Sequence, residues 1–352
     1  MLTASALVNP GLGLAGQAQQ NTGSPDQVPQ RPLGKTGVQV SALGVGGYHL
    51  GSTKDQSEAN ELVARALDAG INFFDNCWDY HDGLSEERLG VALKGQRDQA
   101  FVMTKVCTHG RDASLATAML EESLNRLQTD HLDLWQAHGV SFENDPDLFI
   151  RPGGAAETML KAKQQGKVRF LGFTGHKDPG MHLAMLNTGF PFDAVQMPLN
   201  AFDATFHSFQ KLVVPELTKR GIAVLGMKPL SGHGEPIQKG AVGAEEALRY
   251  AMSIPGVTCT ITGMEKPEIL RQNLRIAQNF QPMSPDEMRA LEERVKDVAA
   301  DGHFELYKIS IKYDNPQARM AHGFPIDMQS DETKETLLAS QNDGHPYPKI
   351  QE

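Results

Sequence analysis

Cysteine is scarce in this chain: Cys77, Cys107 and Cys259 are the only three in 352 residues. Three thiols cannot all pair, and no CxxC spacing occurs, which excludes a disulfide framework and the CxxC redox and zinc motifs. The expected state is three buried or half-buried thiols, far apart in sequence. Basic charge is in deficit, with 33 Lys and Arg against 43 Asp and Glu and a formal net charge of −10. Nucleic-acid binding of the general kind needs a cationic face and is excluded, whereas a local basic pocket for a phosphorylated cofactor is not. No uninterrupted apolar run reaches the ~18–20 residues of a membrane-spanning helix. What remains is 40% hydrophobic and 22% charged, the composition of a soluble globular protein rather than of a disordered or fibrous one.

The two ends differ from the middle. Residues 1–20 contain no Lys, Arg, Asp or Glu, and residues 21–30 are polar with two prolines. Residues 1–30 therefore read as a disordered arm or as a leader remnant. In the second case residues 2–14 are the end of an apolar leader core, Ala15-Gly16-Gln17-Ala18 resembles a cleavage site, and Met1 is an internal start. The expected location is cytoplasmic, with export of a folded holoprotein as the alternative. Residues 301–352 read as a C-terminal extension. Beyond Asp314 it carries Pro316, Pro325, Pro346 and Pro348 without lasting periodicity, so an irregular segment folded over a neighbouring face is expected.

The middle alternates. Short apolar runs at 43–46, 71–74, 101–104, 132–135, 168–171, 194–197, 222–225 and 257–261 are separated by helical patterns. Those patterns fall at 55–69, 84–93, 114–127, 155–165, 181–186, 213–220 and 244–253, and Pro267 opens an eighth. Asp55 with Glu58 reads as a capping-box-like start, and Gly70 as a stop. Strands alternating with helices imply a parallel sheet, and eight units in some 240 residues imply a closed (β/α)8 TIM barrel over residues 31–300. The rival, an open doubly wound sheet, wants a GxGxxG turn after its first strand. Gly44-Val45-Gly46-Gly47 lacks that spacing. Residues 31–41 read as an N-terminal β-hairpin plugging one barrel end. Ser284-Pro285-Asp286-Glu287 reads as a capping box opening an extra C-terminal helix to about residue 300.

In such a barrel the chemistry sits at the C-terminal ends of the strands. The second strand ends in Asp75 with Tyr80 five residues on, the third in Lys105, and the fourth in His138. Taken singly, each has an ordinary structural reading: a helix cap, a part-buried aromatic, a solvated lysine, a core histidine. Taken together they form a general acid. The ammonium of Lys105 favours the Tyr80 phenolate and should lower its pKa, Asp75 holds Lys105 charged, and His138 orients a carbonyl oxygen.

These residues resemble those of the aldo-keto reductases. The resemblance rests on Phe74-Asp75 with Tyr80, on Lys105 after Met103-Thr104, and on His138. It extends to Leu171-Gly172-Phe173-Thr174, Gln196 with Asn200, residues 221–224 with Pro229-Leu230, and Thr262-Gly263 with Gln272-Asn273, and covers residues 31–300. It implies an oxidoreductase that passes a hydride from NAD(P)H to an aldehyde or ketone. Tyr80 would be the acid, Lys105 and Asp75 its tuners, and His138 the orienting group.

The resemblance also implies a cofactor site. Gly46 and Gly47 would let backbone approach it. Thr174 and Gln196 would bind the nicotinamide carboxamide, and Met227 would cover the ring face where many members have an aromatic. Lys228 and Leu230 lie in the loop expected at the pyrophosphate, and Gly263, Met264, Gln272 and Asn273 around the adenosine. Gly175 stands where the family usually has asparagine, followed by His176. Gly263 and Ile269 depart from the cationic or polar residues of many NADP-using members. Lys239 or Lys266 would then supply the cation for a 2′-phosphate, while Glu265 would favour NAD. NADP(H) is the expected cofactor and NAD(H) the alternative. Tyr48, Trp78 and His109, with His49 and Phe142, would wall the substrate pocket.

The expected partner is a small-molecule carbonyl compound, with no nucleic acid, no membrane and no metal. Two rival functions stand beside this one. The first is a cofactor-sensing binding protein on the same barrel. The second is a metal-dependent hydrolase in which Cys77, His81, His109, His138 and His176 converge at the barrel mouth; the absence of HExxH and of His-x-His on the first strand counts against it.

Overall fold

In the computed structural model, residues 26–232, 234–314 and 316–324 are described. Residues 1–25 and 325–352, with most of the arm or leader and the last prolines of the tail, lie outside them. The first two strands, β1 (Gln30–Pro32) and β2 (Gln39–Ser41), pair antiparallel as a hairpin. Eight parallel strands follow: β3 (Leu43–Val45), β4 (Phe73–Phe74), β5 (Phe101–Val106), β6 (Leu132–Ala137), β7 (Val168–Thr174), β8 (Ala194–Pro198), β9 (Ala223–Met227) and β10 (Val257–Thr262). β10 pairs with both β9 and β3, which closes the barrel. Most barrel strands are buried along their whole length. That is why they read as continuous apolar runs rather than as an alternation.

The barrel helices are α1 (Gln56–Asp68), α2 (Leu84–Ala92), α3 (Ala113–Arg126), α4 (Ala155–Gln164), α5 (Pro179–Asn187), α6 (Val214–Arg220), α7 (Ala244–Ser253) and α8 (Pro267–Gln278). The extra helix is α9 (Pro285–Ala299). Its reciprocal capping box between Ser284 and Glu287 is present as the sequence implies. At α1 the reciprocity is offset. Asp55 accepts from the Glu58 N–H at 3.0 Å, but Glu58 reaches back to the N–H of Lys54, one residue before the cap, at 2.6 Å.

The hairpin closes the N-terminal end of the barrel. Leu33 and Val40 are fully buried in one apolar cluster with Phe73, Phe101, Met103, Leu134, Leu225 and Ile261. Arg31 ties the hairpin down by donating to the carbonyls of Val257 and Met252 at 2.9 and 3.0 Å. Packing begins before Arg31, because Val28 is buried and its N–H donates to the Ala69 carbonyl at 2.9 Å.

The opposite end is partly roofed. Residues 301–324 come back over the loops that follow β6, β7 and β8, in short helical turns at Leu306–Ile309 and Pro316–Ala321. The tail is thus more helical here than its prolines imply. Lys308 Nζ bridges Asp203 Oδ1 at 2.7 Å and Glu305 Oε2 at 2.9 Å, both buried. Lys177 pairs with Asp314 at 2.8 Å, and His322 Nε2 meets Asp145 Oδ1 at 2.8 Å.

Candidate active site

Asp75, one residue beyond β4, is fixed by its own N–H, which donates to the Val45 carbonyl at 2.9 Å. Gly47 makes this approach feasible: a Cβ there would stand 2.2 Å from the Asp75 carbonyl oxygen. Gly46 is similarly tight against the Thr262 carbonyl, at 3.0 Å. The missing side chains at Gly46 and Gly47 thus let neighbouring strands approach closely.

Lys105 points into the mouth from β5 and is almost wholly buried. Its ammonium donates to Asp75 Oδ1 at 2.6 Å, to the Asn76 carbonyl at 2.6 Å and to the Tyr80 hydroxyl at 3.3 Å. An ammonium has three protons, and these three acceptors use all of them. Tyr80 leaves β4 through an irregular turn in which His81 and Asp82 both take left-handed backbone, φ 53° and 55°, a conformation non-glycine residues rarely adopt. His138, just past β6, has its ring 6.1 Å from that of Tyr80, edge to face. Asp75, Tyr80, Lys105 and His138 are thus brought together at three consecutive strand ends.

The electrostatics correct one expectation. Burial, then the charge of Asp75 and the neighbouring thiols and Asp79, raise the Tyr80 phenol well above its ordinary pKa rather than lowering it. The phenol form of Tyr80 is therefore favoured at neutral pH. Burial, partly opposed by Asp79, lowers His138 to about 4, so its imidazole is neutral there. Burial and the charge of Lys105 lower Lys228 to about 8.

Of the positions expected at a cofactor, Thr174 ends β7, buried, and Gln196 lies in β8. Gln196 Oε1 is buried and makes no hydrogen bond among the described residues, while its Nε2 stands 3.5 Å from Asp75 Oδ1. A buried amide oxygen without a donor is an acceptor site for an incoming N–H, so this residue fits a nicotinamide carboxamide. Met227 and Lys228 end β9 half-buried, and Leu230 packs partly into the core. Gln272 is half-buried, and Asn273 donates to the Gly263 carbonyl at 3.1 Å, pinning that loop.

Met264 is buried in the hydrophobic core. Lys239 is exposed and lays its ammonium over the Phe304 ring, 5.2 Å from its centroid. A Cβ at Gly263 would meet the His49 ring at 2.6 Å, which is why no lysine side chain stands there. Gly175 has a similar cause: a Cβ would sit 2.4 Å from the Val140 carbonyl oxygen, leaving no room for asparagine.

The expected pocket wall is only partly formed. Tyr48 is half-exposed and meets Tyr80 edge to face at 5.6 Å. Trp78 turns away: it is buried, and its indole N–H donates to Glu122 on α3 at 2.8 Å. His109 is buried against Trp78, with ring centroids 6.1 Å apart. Phe142 packs on His322 and Phe324. Sequence reasoning missed Asn200 as an organiser and Tyr307 as part of the roof. Asn200 donates to the Lys228 carbonyl at 3.2 Å and to the Tyr307 hydroxyl at 3.1 Å.

The histidines and cysteine considered for a metal do not all converge. His81 bonds the Tyr48 carbonyl at 2.7 Å, and His176 faces the rings of Tyr307 and Tyr313. All three cysteines are buried and free. Cys77 and Cys107, far apart in sequence, are neighbours in space beside Asp79.

Eight parallel strands closed into a barrel, with this polar cluster at their C-terminal ends, define a (β/α)8 protein with a candidate active site at the barrel mouth. The chain belongs to the aldo/keto reductase family, whose model matches residues 42–234. It is 26% identical over 306 residues to the uncharacterised oxidoreductase YqkF of Bacillus subtilis, covering 76% of this chain and 96% of that one. It is 28% identical over 309 residues to L-galactose dehydrogenase of Arabidopsis thaliana, covering 76% and 95%. Among solved structures, the aldo/keto reductase of Klebsiella pneumoniae in complex with NADP and acetate shares the fold, with a TM-score of 0.62 and 22% identity, covering 76% of this chain and 95% of that one. Among the described residues no helix is long and apolar enough to cross a membrane.

Proposed function

We propose that this family oxidoreductase reduces an aldehyde or ketone to an alcohol, with Tyr80 as the general acid. The observation that carries the reading is the Lys105 ammonium bridging Asp75, the Asn76 carbonyl and the Tyr80 hydroxyl. Because Lys105 donates to the phenol oxygen, the phenol's own proton is left for another acceptor. A nicotinamide cofactor, when bound, supplies the hydride. Gln196 and Thr174 would hold its carboxamide, and Met227 would cover its ring.

As the carbonyl oxygen gains charge, Tyr80 passes it a proton and becomes a phenolate. Lys105, kept charged by Asp75, stabilises that anion at the moment it forms. Neutral His138 fixes the direction of the carbonyl without competing as an acid. Solvent then returns the proton to Tyr80.

The preferred cofactor in this reading is NADPH. With Lys239 engaged by Phe304, the exposed Lys266 at the N-cap of α8 is the cation for the 2′-phosphate, assisted by the helix N-terminus. Titrating purified protein with NADPH and NADH by fluorescence, then offering a panel of aldehydes and ketones, tests the reading. NADPH binding with carbonyl-dependent oxidation of the cofactor is expected. Binding of neither nucleotide, or binding without turnover of any carbonyl compound, would contradict it. A Lys266→Ala variant should weaken NADPH about tenfold, roughly 1.4 kcal/mol, and leave NADH unchanged; equal loss for both nucleotides would refute the role of Lys266.

A further inference from the structure

Beside the proposed acid lies a second cluster that carbonyl reduction does not use. Cys77 Sγ, Asp79 and Cys107 Sγ lie within 4.8 Å of one another. They come from the irregular turn after β4 and from the residue following β5. Both thiols are buried, Cys77 lying 3.7 Å from the Lys105 carbonyl. Asp79 Oδ1 is screened from solvent, and the Asp79 carboxylate lies within hydrogen-bonding reach of both thiols. His138 Nδ1 stands 3.1 Å from Cys77 Sγ and 4.0 Å from Asp79 Oδ1. Donors around a tetrahedral zinc ion, at bond lengths of roughly 2.0–2.3 Å, are separated by roughly 3.3–3.8 Å. The three donors, within 4.8 Å of one another, need to close by about 1 Å to reach that spacing.

We propose that Cys77, Cys107 and Asp79 form a three-donor binding site for a thiophilic divalent cation, Zn²⁺ or a similar ion, with solvent in the fourth position. Two thiolates are ligands that select zinc over magnesium or calcium. Binding releases the two thiol protons to solvent. The bound site carries one net negative charge, three from the donors against two from the ion, which the neighbouring Lys105 ammonium tolerates. The way in is from the mouth, where Asp79 and His138 are part-exposed while the sulfurs are not. The consequence is inhibition: a cation on Cys77 and Asp79 occupies the two groups that face His138 Nδ1, at 3.1 and 4.0 Å, and displaces that ring from the carbonyl. Only this consequence rests on the reductase reading; binding itself does not.

The test uses reduced, chelator-treated full-length protein and Co²⁺ as a spectroscopic probe. Near-ultraviolet thiolate-to-cobalt charge transfer and visible bands of tetrahedral cobalt are expected, both displaced by Zn²⁺. Cys107→Ser should abolish the charge-transfer intensity of one sulfur. Asp79→Asn, which keeps side-chain shape, should weaken Zn²⁺ roughly tenfold or more in competition with a chromophoric chelator. Cys107→Ser without metal should retain the wild-type reductase rate and lose sensitivity to Zn²⁺. Absence of a sulfur-to-cobalt band in the wild type overturns the site. So does Zn²⁺ affinity that neither variant alters. If no carbonyl turns over at all, the reductase reading fails while the cobalt spectrum still decides the site.

Discussion

Single residues carry the site's constraints, and two of them give measurable consequences. Lys105 is buried with Asp75 as its ionic partner at 2.6 Å. Replacing one member of such a pair leaves the other charge uncompensated, at a cost of about 3–5 kcal/mol. Lys105→Met should therefore lower the urea midpoint by a corresponding amount as well as stop turnover; an unchanged midpoint would show that Asp75 is hydrated in the fold. Gly175 makes the opposite kind of prediction. Restoring the asparagine common in the family would press a Cβ onto the Val140 carbonyl, at 2.4 Å. Gly175→Asn should cost about 1–3 kcal/mol of stability. Thermal unfolding checks this, and a variant as stable as the parent would mean that the loop after β7 shifts without penalty.

Among the elements, the roof is the piece that sequence could not supply. Arg111 donates to Asp145 Oδ1 at 2.8 Å and to the His138 carbonyl at 2.7 Å, and His322 meets the same Asp145 oxygen at 2.8 Å. One buried carboxylate thus joins the C-terminal segment to the backbone of the orienting histidine. Burial pushes the Asp145 carboxyl up, but Arg111 and His322 outweigh it and hold it down to about 2. His322→Ala should loosen residues 316–324, which limited proteolysis would detect as earlier cleavage there. Cleavage no earlier than in the parent would show that Lys177 and Arg319, through Asp314, hold the segment unaided.

The barrel strands and most of their helices were legible in the sequence, because doubly buried strands make continuous apolar runs and helices carry periodic stripes. The convergence of Asp75, Tyr80, Lys105 and His138 at one barrel mouth was legible because strand ends converge in a closed barrel. The roof was not, because its contacts are long-range ion pairs without local periodicity. The inward or outward choice at Trp78 and Met264 was not either. It depends on neighbours such as Glu122 and the core beneath α8, which adjacent sequence does not reveal.

For the molecule as a whole, buried histidines set the acid limb of stability. Burial lowers His182 to about 4 and His176 well below its ordinary value. Unfolded, both return to about 6.5. Between about pH 4 and 6.5 the unfolded chain binds more protons, so stability is full above that window and falls as pH drops through it. Each of the two should contribute about one proton taken up on unfolding near pH 5. Unfolding midpoints measured from pH 7 to 4.5 should decline accordingly, and a flat profile would contradict the neutral assignment of these rings.

The central claim, that Tyr80 delivers the proton under the control of Lys105, is tested most directly by single-turnover carbonyl reduction with Tyr80→Phe. The rate should fall about 10²–10⁴-fold while nucleotide affinity stays at its wild-type value, whereas reduction at the wild-type rate would show that the proton comes from another group.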